Sequence, residues 1–466
     1  MKVCCACVLA VSVVTGLCAG PVDRTSPDPG AKPLLGGFHP DPSICRVGED
    51  YYLATSSFTW YPGLPVYHSR DLRHWKICSH VFATEEWKRT LTSLGDSAGV
   101  YAPTIRHHDG RFYVIVCVNG FGGVLASAAR AEGPWEVTKI DKHADPSLFF
   151  DEDGTCWELH LAAPSRREYP DDWVSYLQKF DLAKGVCFGP RTELPHAVVR
   201  GQVWAEGAHI YRIGKRYLML QAEGGTGFMH SESASWSDSV TGPYLPQGVN
   251  PVLTRRHRGM RAHLQSTGHA DLVTTPDGRF YAVFLGRRFL PDTKGRMLTP
   301  LARETFMCPV EIVDGNVFFR DDELVAGTYE DPEGDFYEST MPGLKMKRPS
   351  ELSFVERRRL STVRDGVGAA LVYYRSRKGY FALRKNAGEI VLEECRGEKA
   401  DIVGRLPYAA DEATLELRVD GTEVRFFAGA DATMLVQVGG LRSVSVIADD
   451  PPRNIHNGVG VGLYRQ

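Results

Sequence analysis

An internal repeat limits the fold of this chain more than any other feature of its sequence. Each of five segments has a short apolar strand, a turn rich in Asp or Gly, and an aromatic strand of alternating polarity, which is the pattern of a β-hairpin. Several of them continue into a Ser- or Ala-containing stretch, a polar turn and a terminal aromatic residue, so that each unit is expected to hold four strands. The segments begin at Gly36, Gly99, His143, Val203 and Thr267.

Units of roughly 50 to 60 residues that each hold four strands are typical of a β-propeller. The sequence therefore predicts an all-β fold with a five-bladed β-propeller at residues 33–325. A β-sandwich lacks so long a repeat, and a β-helix uses far shorter ones. After a polar linker at 326–334, short alternating runs in 335–466 predict a smaller β-sandwich of the jelly-roll type. Two domains also suit a chain of 466 residues.

The N-terminus has the layout of a secretory signal peptide at residues 1–20. Lys2 precedes an apolar run from Val3 to Val14, and small residues follow at 18–20. The run is shorter than the roughly 20 residues that span a bilayer, which disfavours a membrane anchor, and Leu17 disfavours a lipoprotein start at Cys18. We expect a secreted or periplasmic protein.

Composition narrows the classes of partner. The formal net charge of −3 gives no global attraction to nucleic acid or to anionic membranes. Behind the leader the cysteines are odd in number and widely spaced, without the spacing of zinc ligands, so they are expected to be mostly buried free thiols.

The repeat also aligns three acids. The five units are aligned on the second aromatic residue of each hairpin. In four units we compare the residue 11 positions before that aromatic residue. In the third unit, whose turn is one residue longer, we compare the residue 12 positions before it. The residues at this position are Asp41, Ala102, Asp145, Glu206 and Ala270. Equivalent positions in equivalent blades lie at equivalent places, so three carboxyl groups are expected at one end of the central axis.

Two alternatives do not involve catalysis. Asp is common in turns at strand ends, but three like charges crowded at one funnel are costly and raise at least one pKa. A calcium site built from carboxylates is the second alternative. The catalytic interpretation assigns an acid, a base and a group that tunes them, as glycosidic cleavage requires. Glu206 lies in the neutral, aromatic stretch VWAEGAHIY, which is expected to raise its pKa and suits it as the general acid.

Six ordered blocks of sequence carry a family resemblance: GFHPDPSICRVGEDYYLATSSF, YAPTIRHHDGRFYVI, ADPSLFFDEDG, AEGAHIY, STGHADLV and ARETFMCPVE. Together they resemble the β-xylosidases and α-L-arabinofuranosidases of glycoside hydrolase family 43. The resemblance implies a five-bladed propeller and inverting chemistry. It implies Asp41 as the general base, Asp145 as the modulator of pKa, and Glu206 as the general acid.

The resemblance also implies four substrate-binding residues: Phe58 and Tyr101 beside the sugar, His269 at the bottom of the funnel, and Arg303 at the sugar hydroxyls. The alternatives are that the aromatic rings belong to the core, that His269 is a buried structural imidazole, and that Arg303 pairs with its neighbour Glu304. The C-terminal part is similar to the concanavalin-like sandwich of many β-xylosidases in this family, in which a loop closes one side of the pocket.

The function expected from the sequence is that of an exo-acting inverting glycoside hydrolase that releases xylose from β-1,4-xylo-oligosaccharides and xylan. The alternatives are an α-L-arabinofuranosidase on arabinoxylan or arabinan, and a non-catalytic propeller that binds carbohydrate. No cofactor or catalytic metal is required, and a structural calcium ion in the propeller channel near His269 is compatible with the sequence. The expected partner is the oligosaccharide or polysaccharide, with no nucleic acid and no membrane span, and the sequence indicates no oligomeric state.

Overall fold

The structure is a computed structural model that describes residues 31–195, 198–199, 201–332, 334, 337–448 and 456–465. The described residues form a nearly all-β protein. The segment assigned to the signal peptide lies outside them. No helix in the described part of the chain is both long and apolar enough to cross a membrane.

Residues 43–319 form five antiparallel sheets that follow one another along the chain, each with four strands contributed by its repeat unit. The first two sheets consist of β1 (Ser43–Val47), β2 (Asp50–Ala54), β3 (Gly63–Ser69) and β4 (His74–Phe82), then β5 (Gly99–His108), β6 (Arg111–Asn119), β7 (Gly122–Ala128) and β8 (Glu136–Ile140). A helix, α1 (Glu85–Ser93), connects them, and the Thr84 side chain caps its N-terminus.

The next three sheets repeat the pattern. They consist of β9 (Ala144–Phe150), β10 (Cys156–Ala162), β11 (Val174–Asp181) and β12 (Val186–Glu193); β13 (Glu206–Ile213), β14 (Arg216–Glu223), β15 (Ser231–Ser237) and β16 (Leu245–Pro246); and β17 (Leu264–Thr274), β18 (Phe280–Arg288), β21 (Glu304–Val313) and β22 (Asn316–Phe319). A short hairpin, β19 (Leu290–Pro291) and β20 (Met297–Leu298), lies within the fifth unit.

The first strands of the five sheets form a closed series. β1 contacts β5, β5 contacts β9, β9 contacts β13, β13 contacts β17, and β17 returns to contact β1. Asp271 in β17 is fully buried and links several of these strands: it accepts hydrogen bonds from Ser43 (2.6 Å), Arg106 (2.7 Å) and Tyr211 (2.6 Å). A buried carboxylate needs such partners because an unpaired buried charge is costly.

The segment predicted to be a linker contains a strand, β23 (Thr328–Glu330), which pairs in parallel with β4 at the edge of the first sheet. The backbone N–H of Thr328 donates to the carbonyl of Arg73 at 2.9 Å. The Pro, Gly and acidic composition of the linker segment did not predict this strand, because the pairing depends on the edge of the first sheet, which is far away in sequence.

The remaining strands form two sheets. One has six strands in the order β24 (Leu344–Lys347), β34 (Gly460–Tyr464), β26 (Ala369–Ser376), β27 (Gly379–Asn386), β28 (Glu389–Arg396) and β29 (Lys399–Pro407). The other consists of β25 (Ser353–Ser361), β30 (Glu412–Asp420), β31 (Glu423–Gly429), β32 (Val436–Gln437) and β33 (Arg442–Ser443). A single apolar cluster contains residues of both sheets, among them Leu371, Phe381, Leu415 and Phe426.

Candidate active site

One cavity of about 310 Å³ brings together all seven residues predicted to form the site. They come from all five sheets or the loops beside them, and they are 262 positions apart at the extremes. The predicted residues in its wall are Asp41, Phe58, Tyr101, Asp145, Glu206, His269 and Arg303. A volume of this size is at the small end of the roughly 300 to 1,000 Å³ of ligand pockets.

The three acids lie at the start of the first strand of their sheets. Asp41 precedes β1, Asp145 is the second residue of β9, and Glu206 is the first residue of β13. Asp41 and Asp145 have positive φ angles of 51° and 43°. This left-handed conformation is uncommon for residues other than glycine, although Asp tolerates it better than most, and it is often found at functional sites.

The fifth sheet departs from the alignment of the repeats. Ala102 of the second unit lines the cavity as its position predicts, but Ala270 of the fifth is fully buried in an apolar cluster, and His269 lines the cavity instead. The pairing of β17 with β18 shifts register on both sides of Gly268, whereas the first strands of the second, third and fourth sheets each show one shift. Such bulges change which residue of a strand faces a given side.

Asp41 is held as a carboxylate. Its Oδ1 accepts from Nη1 of Arg303 at 2.8 Å, and its Oδ2 accepts from the Ser56 hydroxyl at 2.5 Å. Burial alone would raise the pKa of Asp41, but the positive charge of Arg303, with His269 and the Ser56 hydrogen bond, brings that pKa below its usual value. Asp41 is therefore ionised at neutral pH and able to accept a proton.

Glu206 has the opposite environment. Its side chain is buried, 7% exposed, and burial followed by the nearby charges of Asp145 and Asp41 raises its pKa well above the usual value. Burial and Asp41 also raise the pKa of Asp145, against the opposing influence of His269 and Arg303. Asp145 and Glu206 each have an oxygen within 4.8 Å of the other, so the two carboxyls cannot both ionise cheaply, and Glu206 retains a proton.

His269 lies against the backbone next to Glu206. A Cβ atom at Gly207 would lie 2.7 Å from Cε1 of the His269 ring, and Gly207 has a φ of +59°. Only glycine combines this backbone conformation with so close an approach. His269 therefore packs directly on the backbone of the residue that follows Glu206.

His269, Asp145 and Glu206 place three donor atoms within 4.8 Å of one another. Calcium takes about six to eight oxygen ligands, whereas this group offers one imidazole nitrogen and two carboxyls, one of which keeps its proton. These three residues do not make a calcium site by themselves, and a structural calcium ion near His269 stays a prediction.

Arg303 does not pair with its sequence neighbour. Glu304 is bound by Arg288 through two hydrogen bonds of 2.7 and 2.8 Å. Arg303 binds Asp41 through Nη1, while its Nη2 is buried and makes no hydrogen bond within the part of the chain that the structure describes. A buried donor without a partner is costly, so Nη2 is available to donate to a ligand in the cavity.

An aromatic wall closes one side of the cavity. Phe58 lies beside Tyr101, with ring centroids 5.2 Å apart, and stacks on His456 at 5.6 Å and 14°. His456 belongs to the C-terminal segment that leads into β34, and its backbone N–H donates to the Ser97 hydroxyl at 3.1 Å. The C-terminal part of the chain therefore reaches the cavity, a point that the sequence left open.

Comparison with known proteins identifies the family. The model of glycosyl hydrolases family 43 matches residues 31–317, which is more than half of the chain. The chain belongs to glycosyl hydrolase family 43.

The relatives in this family are named as xylosidases or as arabinosidases, and some carry both names. The chain is 37% identical over 291 residues to a xylosidase/arabinosidase of Butyrivibrio fibrisolvens, covering 61% of this chain and 55% of the relative. It is 40% identical over 285 residues to the non-reducing end alpha-L-arabinofuranosidase BoGH43B of Bacteroides ovatus, covering 60% of this chain and 51% of the relative. The chain thus spans about half the length of the curated relatives it matches.

Among solved structures, the xylan beta-1,4-xylosidase from Bacillus halodurans C-125 is similar over 93% of this chain and 96% of its own, with a TM-score of 0.79 and 26% identity. This similarity extends past the matched family segment into the C-terminal sheets.

Sequence reasoning missed several side chains of this family 43 cavity. Trp204 lies two residues before Glu206, in the stretch VWAEGAHIY noted around that acid, so its proximity in sequence was an available signal. Trp173 and Asp171 come from the loop before β11, where the repeat has no equivalent residue. His456 is brought in only by the packing of the C-terminal segment. The cavity residues missed are Ala144, Leu161, Asp171, Trp173, Trp204, Thr226 and His456.

Proposed function

We propose that this protein is an exo-acting, inverting glycoside hydrolase that releases xylose from the ends of β-1,4-xylo-oligosaccharides and xylan. The observation that carries the proposal is the opposite state of two acids in one cavity, with an ionised Asp41 and a protonated Glu206. Glycoside hydrolysis by inversion needs one carboxylate as base and one carboxylic acid as proton donor.

In the proposed reaction, Asp41 takes a proton from a water molecule as the water oxygen attacks the anomeric carbon. The bond from that carbon to the leaving oxygen breaks, and Glu206 gives its proton to this oxygen. Asp145 keeps the pKa of Glu206 high through its negative charge. Arg303 keeps Asp41 ionised and donates through its second nitrogen to a sugar hydroxyl.

The proposal extends to the architecture. The five successive sheets are the blades of a β-propeller, supported by the closed series of contacts among their first strands. The two C-terminal sheets are a β-sandwich, supported by their common apolar cluster. The domain limits proposed are those of the sequence analysis, 33–325 and 335–466, and export by residues 1–20 remains part of the proposal.

Release of a terminal sugar is supported by the small cavity and by its wall of Phe58 and His456. Release of xylose is supported by the xylan beta-1,4-xylosidase of similar structure, which matches over 96% of its own chain. The second candidate, release of α-L-arabinofuranose, is supported by the relative of 40% identity that is named for this activity.

The test compares nitrophenol release from the β-xyloside and from the α-L-arabinofuranoside. We expect faster release from the xyloside, and activity on neither would refute both assignments. The alternative of a non-catalytic propeller that binds carbohydrate is tested with the variants Asp41→Asn and Glu206→Ala. Each is expected to lower turnover by several orders of magnitude in a folded protein, with the exposed Asp153→Asn as a control that retains activity.

A further inference from the structure

Four metal-ligating side chains converge in the third sheet, outside the cavity described above. Glu158 and His160 lie in β10, Cys187 lies in β12, and His143 directly precedes β9. Each offers one donor atom, and the four atoms all lie within 4.8 Å of one another. None of the four residues lines the proposed active site.

Glu158 is at the centre of this group, and its side chain is fully buried. Its Oε1 lies 2.7 Å from Nδ1 of His143, and its Oε2 accepts from the Cys187 thiol at 2.5 Å. The rings of His143 and His160 are stacked, with centroids 4.0 Å apart. Two imidazoles and a thiol are thus gathered around one buried carboxylate.

A separate observation, on His160, points to a ligand for this group. Nδ1 of His160 is buried, on a residue only 3% exposed, and makes no hydrogen bond with any residue that the structure describes. It points towards the group, 3.7 Å from Oε2 of Glu158, which is too long for a hydrogen bond. A buried polar atom without a partner requires an explanation.

We propose that His143, Glu158, His160 and Cys187 form a binding site for a divalent transition metal, with zinc the ion that best suits the donors. Two imidazole nitrogens, a thiolate and a carboxylate oxygen are zinc ligands, whereas calcium and magnesium prefer oxygen alone. Bond lengths of about 2.0 to 2.3 Å in a tetrahedron place donors about 3.3 to 3.8 Å apart, which small movements of these side chains would reach.

Metal binding releases one proton to solvent and moves the ring protons of the two histidines. The Cys187 thiol releases one proton to solvent as the sulfur binds the metal. His143 and His160 bind as neutral rings through Nδ1, so that each carries its proton on Nε2. The carboxylate of Glu158 then exchanges its hydrogen bonds for a bond to the metal.

Arg191 opposes this arrangement. Its Nη2 donates to Nε2 of His160 at 3.0 Å, so in the metal-free protein the ring proton is on Nδ1. Metal binding through Nδ1 moves that proton to Nε2 and displaces the guanidinium. Arg191 is exposed, and its removal is therefore expected to strengthen metal binding.

The experiment titrates cobalt(II), a spectroscopic substitute for zinc, into the tag-free full-length protein. We expect one cobalt ion per chain with a thiolate-to-cobalt charge-transfer band that zinc abolishes. Cys187→Ser should lose this band, and Cys78→Ser, at another partly buried free cysteine, should keep it. Residues 1–30 contain four further cysteines, so the difference between the parent and Cys187→Ser is the quantity that decides.

Affinity and stability provide two further measurements. In competition with a chromophoric chelator, His143→Asn is expected to weaken zinc binding by roughly 100-fold or more, since loss of an outer partner alone costs about 10- to 100-fold. Arg191→Leu is expected to tighten it. Zinc should raise the melting temperature of the parent and not that of Cys187→Ser, with circular dichroism verifying that each variant folds. An unchanged cobalt band in both Cys187→Ser and His143→Asn, or no band in the parent, would overturn the proposal.

Discussion

Glu206→Gln tests the proton donor, because it removes the acidic proton while keeping the size of the side chain. A positioned general acid contributes roughly 10²- to 10⁴-fold to a rate, which corresponds to about 3 to 5 kcal/mol of barrier at about 1.36 kcal/mol per tenfold. The cavity favours the upper part of this range, because Glu206 is buried and its pKa is raised by burial and two nearby carboxyls.

The assay compares two substrates that differ in the leaving group. The leaving group of xylobiose is a sugar alkoxide that needs a proton. We therefore expect the turnover of xylobiose to fall by about 10³-fold or more in Glu206→Gln. The leaving group of dinitrophenyl β-xyloside is a stable anion that needs no proton. The turnover of this substrate should therefore fall by no more than about tenfold, or about 1.4 kcal/mol. The exposed Glu152→Gln is the matched control.

The pH profile gives a second criterion. The parent needs Glu206 protonated, so its activity should fall as pH rises through the raised pKa of this group. With the dinitrophenyl substrate this alkaline limb should be absent in Glu206→Gln. Equal losses on both substrates, or an alkaline limb that persists, would refute the assignment of Glu206 as the acid.

Three further outcomes are expected. Arg303→Met removes the positive charge that lowers the pKa of Asp41, so the acid limb of kcat/KM should move to higher pH; an unmoved limb would contradict the role of this ion pair. His456→Ala removes the stack on Phe58, so KM should rise by about 2- to 12-fold, from about 0.5 to 1.5 kcal/mol, at nearly constant kcat, with the exposed His74→Ala as control. Proton NMR of the first xylose released should show the inverted anomer, and the retained anomer would exclude single displacement.

The sequence was sufficient to bring together the three acids because the fold repeats. Asp41, Asp145 and Glu206 are far apart along the chain, but each follows the same register relative to its own hairpin, and the structure places all three in one cavity. The same reasoning chose Ala270 rather than His269 in the fifth unit. A register counted from a turn carries over between units only while they share the same irregularities, and β17 shifts register twice around Gly268 where β5, β9 and β13 shift once.

Contacts that depend on packing between units had no sequence signal. His456 stacks on Phe58, 398 positions earlier, through the docking of the C-terminal segment. Cys187 and His143 meet although β12 and β9 are the two edges of a four-stranded sheet, so their spacing along the chain resembles no metal motif. Arg303 shows the same limitation on a small scale, since the adjacent Glu304 pairs with Arg288.

The arrangement of charge in the cavity explains how similar acids acquire different roles. The permanent cation among the predicted site residues, Arg303, binds Asp41 directly, so Asp41 ionises despite its burial. Its negative charge then adds to that of Asp145 and raises the cost of ionising Glu206. In the proposed reaction, the position of one guanidinium therefore determines which carboxyl accepts the proton of water and which keeps a proton for the leaving oxygen. An exchange of neighbours, rather than of residue type, would exchange the roles of base and acid.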